Sequence, residues 1–298
     1  NKRGETVAKR AEDGLYYDQV GVYHPLRKAK NKTDLKILYR DLFPEGQGIT
    51  PEEQNYLRNQ SRKLRENTDY ALLAWFGGSI FEMGQYLRGY DQWYIDIAED
   101  DERKMASCLL DLLLEDYLKS LETFINVIGD NADIVGFGGD DFGMQTGPQI
   151  SPVTYKKLFK PRHKQMWDFV KKNSNYKIFI HCCGSIAALL PDIIEAGVDI
   201  INPVHINARD MQPEKLKKEF GKDITFWGGG CDTQKVLPTG NLNDIEEEVR
   251  KNISIFAPGG GFVFAPVHNI QPDVSAEKIV KLYESAYKYG KQVYLKSY

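Results

Sequence analysis

The sequence predicts an α/β protein built on a parallel sheet, best fitted by a (β/α)8 barrel. Three observations carry this expectation. Six short apolar runs, at residues 70–76, 133–137, 176–180, 198–203, 223–227 and 261–265, recur through the chain. Each is followed by an amphipathic stretch, for example residues 151–172, 186–196, 213–220, 245–256 and 276–289, so strands alternate with helices. The runs are largely apolar rather than alternating, as strands buried on both faces must be. A closed barrel of this type needs eight strands and only six runs are visible, so an open doubly wound sheet is the alternative.

The strand ends carry most of the informative residues. Gly77-Gly78, Gly138-Gly139, His181-Cys182-Cys183-Gly184 and Gly228-Gly229-Gly230 each follow a run, which makes polar, Gly-rich loops at the C-terminal rim. Ahead of the first run, Thr50 before Pro51 reads as the N-cap of a helix reaching about residue 67, with Pro at its first position. Residues 1–48 are polar and broken by Gly and Pro, and residues 1–68 read as a peripheral segment of a barrel domain that occupies 69–298. No GxGxxG or Walker loop stands at a strand-to-helix turn.

Composition narrows the class. A chain of 298 residues with net charge −3 lacks the basic footprint of a nucleic-acid binder. No apolar run approaches a membrane span. Four cysteines in a chain of this length do not make a disulfide framework, which points to a reducing, cytoplasmic compartment. The start at Asn1 lacks an initiator Met and an apolar leader, and the expectation is an internal or processed piece.

His181 and Cys183 are the residues of greatest chemical interest. Two residues apart in extended chain, they face the same side at a strand end, where α/β proteins place their chemistry. Imidazole and thiolate are ligands of borderline-soft metals such as zinc, and a catalytic zinc uses three protein ligands with one position open. The competing reading is a buried histidine beside two structural thiols. His268, after the last run, is the first choice for a third ligand, with Cys231 and Glu82 as alternatives. Cys182 alternates to the opposite face and packs.

The order and spacing of several motifs resemble the uroporphyrinogen decarboxylase superfamily, in its branch of zinc- and corrinoid-dependent methyltransferases. The stretches that carry the resemblance begin with residues 77–83 followed by Tyr86-Leu87-Arg88-Gly89, then Asp140-Asp141-Phe142-Gly143 followed by Gly147-Pro148 and Ser151-Pro152. They continue with His181-Cys182-Cys183-Gly184, residues 197–203, 228–234 and 259–270. The resemblance implies a (β/α)8 barrel whose first two strands lie before this segment, so the six runs become strands three to eight. It implies zinc held by His181, Cys183 and His268, with Glu82, Asp141 and His268 as catalytic groups and Asp140, Gly143 and Gly228 lining a cofactor. The activity it implies is methyl transfer between a corrinoid and a thiol or a methylated small molecule. No DxHxxG corrinoid motif occurs in the chain, so cobalamin would come on a corrinoid-binding partner protein. A homodimer is compatible with this.

The family's decarboxylases form the alternative, as does a catalytically silent barrel subunit. Their characteristic tyrosine falls at Gln85 here, with Tyr86 one residue on, and they lack the HxC pair; this favours methyl transfer. The branch often supplies a cysteine near the last strand, where this chain has Pro266-Val267-His268; two histidines and one cysteine leave a more Lewis-acidic metal. His205 is a weak candidate for substrate contact, Asp232 caps the turn that follows it, Trp167 packs, and His24 and His163 read as surface residues.

Overall fold

A computed structural model describes residues 8–10, 17–19 and 24–296. Strands β1 (Ala8–Arg10) and β2 (Tyr17–Gln19) form a small antiparallel pair. Helices α1 (Lys32–Leu42) and α2 (Pro51–Asn67) follow. Thr50 caps α2 through a reciprocal capping box with Glu53 and Pro51 opens the helix, as the sequence predicts. The segment before the sheet also joins the core, because Leu26, Leu35 and Tyr39 are fully buried and Tyr39 donates to Asp116 at 2.8 Å.

The main sheet has six strands: β3 (Leu73–Gly77), β4 (Ile134–Phe137), β5 (Lys177–His181), β6 (Ile200–Asn202), β7 (Thr225–Trp227) and β8 (Phe262–Val263). All neighbours are parallel and the spatial order is the order of the sequence. A doubly wound sheet reverses its order at a switch point, whereas successive barrel staves do not, so the barrel arrangement is the one adopted. Among the described residues β3 and β8 do not pair with each other.

The two faces of the sheet differ. Phe76 packs edge-on against Tyr117 and Phe124 and Phe137 against Trp167, while Phe226 meets Phe256 at a tilt, which seats the outer face on helices. On the inner face Trp75, Phe179 and Trp227 meet in a row, with centroids 6.1 Å and 5.3 Å apart. These three come from β3, β5 and β7, so alternate strands supply one layer, the packing rule of a barrel interior.

Helices α3 (Phe81–Arg88), α4 (Tyr90–Ala98), α5 (Asp100–Arg103) and α6 (Met105–Ile128) connect β3 to β4. A single turn, α7 (Pro152–Thr154), a π turn over Tyr155–Phe159 and α8 (Lys160–Asn173) lead into β5. After Gly184 the chain makes turns, and helix α9 (Leu190–Ala196) starts later than the sequence pattern suggests. Helices α10 (Pro213–Phe220), α11 (Val236–Thr239), α12 (Leu242–Phe256) and α13 (Ala276–Lys296) complete the outer layer. Leu237, Ile245, Val249, Ile253 and Leu282 form a second, smaller core under α12 and α13.

Arg88 fixes the start of this architecture. It is 1% exposed and its Nε donates to Asp96 at 2.5 Å, while its Nη1 donates to the carbonyls of Leu26 and Ala29. An Arg88→Met variant leaves the Asp96 carboxylate buried without its cation. It should lose about 3–5 kcal/mol of stability, read from the urea midpoint and slope.

Candidate functional site

His181 is the last residue of β5 and lies beside Asn202 in the β5–β6 register. Asn202 is oriented from below, because its Nδ2 donates to the Trp227 carbonyl at 3.0 Å. Its Oδ1 therefore faces His181 Nδ1 at 2.8 Å and can only accept. Nδ1 must carry the hydrogen, so in the neutral imidazole Nε2 presents a lone pair to the barrel mouth. Nε2 stands 3.8 Å from Asp141 Oδ1, and the His268 ring lies 6.1 Å away, centroid to centroid. Burial and the neighbouring His181 push His268 below the ordinary histidine range, which favours its neutral, ligating form.

Cys183 meets the same carboxylate, since Asp141 Oδ1 accepts from the Cys183 amide at 2.7 Å. Burial, Asp141 and Glu82 together push the Cys183 thiol up to about 12. Burial, Asp141 and Asp140 push Glu82 up to about 7. Glu82 sits in the first turn of α3, and its carboxylate reaches across to Gly139 at the end of β4. The mouth thus gathers two imidazoles, a thiol and two carboxylates from four strand ends. Among the described residues no three His, Cys, Asp or Glu side chains converge on one point at metal-bonding distance.

Other predicted site residues have different placements. Asp140 is 2% exposed and turned away from the mouth. Its carboxylate accepts from the amides of Ile80, Phe81 and Glu82 and from His163 Nε2, so it has no oxygen left for a cofactor. His163 is not a surface residue: it is 1% exposed and stacked on Trp167. Gly143 and Gly184 lie back to back, and a Cβ at Gly143 would stand 2.4 Å from the Cys183 carbonyl oxygen. A Cβ at Gly228 would stand 2.8 Å from the Val204 amide nitrogen. Backbone packing between loops accounts for both Gly143 and Gly228. Cys231 is fully buried in the second core and hydrogen-bonded to Glu248. Asp232 caps the turn after it, accepting from the amides of Gln234 and Lys235.

His205 faces the rim from the loop after β6. Its Nδ1 faces the Gly184 amide at 3.2 Å, and its Nε2 faces the side-chain amide nitrogens of Gln145 and Gln234 at 3.2 Å and 3.4 Å. A cleft of about 750 Å³ lies to one side, along β3, and is lined by Trp75, Phe76, Met83, Tyr117 and Phe124 together with Gly138 and Gly139. It adjoins the Glu82 side of the rim without including His181 or Cys183. Asn202 and His163 are the residues that sequence reasoning missed. Asn202 could have been found as the polar residue ending a strand next to the one that ends in His181.

The sequence model of the family described as Uroporphyrinogen decarboxylase (URO-D) matches residues 49–289. No curated protein matches significantly. Among solved structures, the chain is similar to a methyltransferase from Methanosarcina mazei, with 16% identity and a TM-score of 0.62 over 92% of this chain and 72% of that one. At that identity the likeness concerns the fold, and the family assignment rests on the sequence match. With most of the chain covered, this protein belongs to the uroporphyrinogen decarboxylase family.

Proposed function

We propose that the protein is a methyltransferase, with zinc held at the rim by His181, Cys183 and His268 and with methyl transfer between a corrinoid on a partner protein and a thiol or methylated small molecule. The observation that carries this reading is the orientation of His181. Asn202 fixes its tautomer so that Nε2 offers a lone pair beside Cys183 and Asp141, the outer-sphere device typical of metal-bound histidines. The donor types fit zinc, and a bound cation would favour the ionised forms of Cys183 and Glu82 that burial and Asp141 disfavour. Cys231 is set aside as third ligand because its thiol is committed to Glu248, and Glu82 is the alternative to His268.

Bound there, zinc would supply Lewis acidity, lowering the pKa of a thiol or polarising the heteroatom that carries a methyl group. The chain's own residues do the rest. Glu82, pushed up to about 7, can take or return a proton at its carboxylate near neutral pH. His205, Gln145 and Gln234 bring an imidazole and two side-chain amides to one edge, which gives a polar wall for a small substrate.

The decarboxylase reading is less well supported. Gln85, at the decarboxylase tyrosine position, is 4% exposed and bonded to Tyr94, and Tyr86 is 59% exposed.

A methyl-transfer assay with a free corrinoid, followed by cobalt absorbance, tests the proposal. Activity should be lost with a zinc chelator and restored by zinc. Cys183→Ala should abolish both tight metal binding and transfer, with the melting temperature within a few degrees of the parent. Full activity in Cys183→Ala, or activity indifferent to chelation, would sink the proposal. Asn202→Leu should weaken zinc affinity about 10–100-fold by releasing the His181 ring.

Glu82 makes a separate prediction about stability. Its folded pKa lies above the unfolded value of 4.5, so between pH 4.5 and about 7 the folded state binds more protons than the unfolded one. Stability contributed by this group therefore falls as pH rises through that window. In metal-free protein, Glu82→Gln should melt higher than the parent at pH 8, with the gap closing below pH 4.5. An equal gap at both pH values would contradict the raised pKa.

A further inference from the structure

Asp140 stands between all the groups of the proposed site without facing the mouth. Its Oδ1 accepts from the Phe81 amide at 2.6 Å and the Glu82 amide at 3.3 Å. Its Oδ2 accepts from the Ile80 amide at 3.2 Å and from His163 Nε2 at 2.8 Å. Its own amide donates to the His181 carbonyl at 3.3 Å. Asp141, next in the chain, holds the Cys183 amide. Asp140 thus ties the helix bearing Glu82 to the strand end bearing His181, and its neighbour Asp141 ties in the loop bearing Cys183.

Helix α3 has no side-chain cap of its own, since Ile80 occupies the N-cap. Asp140 supplies that cap from another strand, and the helix N-terminus in turn favours its negative charge. His163 holds the carboxylate from behind. Its Nε2 donates to Asp140, its Nδ1 meets the Tyr155 hydroxyl at 3.1 Å, and its ring stacks on Trp167 at 4.7 Å with 13° between planes. The imidazole is locked by three contacts, so the carboxylate it holds cannot rotate without leaving a buried donor unpaired.

We propose that Asp140 and His163 form a positioning pair that sets the placement of Glu82 relative to His181, Asp141 and Cys183. Neither residue touches substrate; they act through the backbone of α3 and the end of β5. The proposal rests on the rim being the active site.

The test compares His163→Gln with His163→Asn. A glutamine amide reaches the position of Nε2 and can still donate to Asp140; an asparagine amide reaches only that of Nδ1. Val170→Ala, a buried substitution on the same helix, controls for general loss of packing. Three readouts are taken on the full chain: melting temperature, amide hydrogen exchange over α3, and the dissociation constant for cobalt(II), an absorbing substitute for zinc. In His163→Asn, the Phe81 and Glu82 amides should exchange faster and cobalt(II) should bind about tenfold more weakly. His163→Gln should keep both near the parent values, and Val170→Ala should lower only the melting temperature. The proposal is overturned if His163→Asn protects those amides as well as the parent does, or if Val170→Ala loosens them equally. If the parent itself binds no cobalt(II), the metal reading fails, and amide exchange alone decides the positioning claim. Should His163→Asn not fold, Asp140→Asn carries the same comparison, and retained protection of the α3 amides would overturn the pair.

Discussion

Four hydrogen bonds converging on the buried Asp140 carboxylate are the constraint on which the rim depends. Burying an ionised carboxylate costs several kcal/mol unless its lone pairs are filled. Here three are filled by the amides of the Ile80 N-cap and the first two residues of α3 and one by His163, so the same contacts cap a helix and keep the charge tolerable. The cost of this arrangement falls on ligand binding: the N-terminus of α3 is already occupied and is not open to an anion. Glu82, two residues into that helix, inherits a fixed position, and its side chain is left to interact with the mouth.

The mouth itself follows the opposite principle. Asp141, Glu82 and Cys183 crowd together, and Glu82 and Cys183 are both raised by burial and by their neighbours. A fully bonded buried carboxylate beside half-buried groups whose ionisation is disfavoured is the pattern expected where stability is given up for chemistry. His181 and Asn202 add direction to it. A parallel register places the two side by side, and the Trp227 carbonyl below them determines which end of the amide faces the ring. Three adjacent strands thus orient one lone pair.

The inner layer sets the floor beneath this mouth. Trp75, Phe179 and Trp227 fill the interior from alternate strands, and His181 lies two residues beyond Phe179 on the same face of β5. The large rings close the space under the rim, so polar side chains above them remain at the opening and do not sink into the core. Trp75 is 52% exposed, at the edge strand where the 750 Å³ cleft runs.

Much of the fold and the outline of the site are legible in the sequence. Strands covered on both faces leave apolar runs, and so the β/α alternation, the parallel sheet and the rim loops can be read residue by residue. The Thr50 cap and the His181-x-Cys183 pair are local patterns, and they can be read for the same reason. Tertiary structure decided what depends on register and phase. Asp140 and Asp141 are adjacent and identical in type, yet one is locked under α3 and the other faces the mouth, because successive residues leave a strand end on opposite sides. Asn202 became part of the site only through its neighbour on β5. His163, in the basic stretch Arg162-His163-Lys164, reads as solvated. The π turn over Tyr155–Phe159 precedes it, and one extra residue in a turn rotates the following helix by roughly 100° relative to an α-helical count. The sequence states which residues can do chemistry; strand pairing and helix phase determine which of them meet.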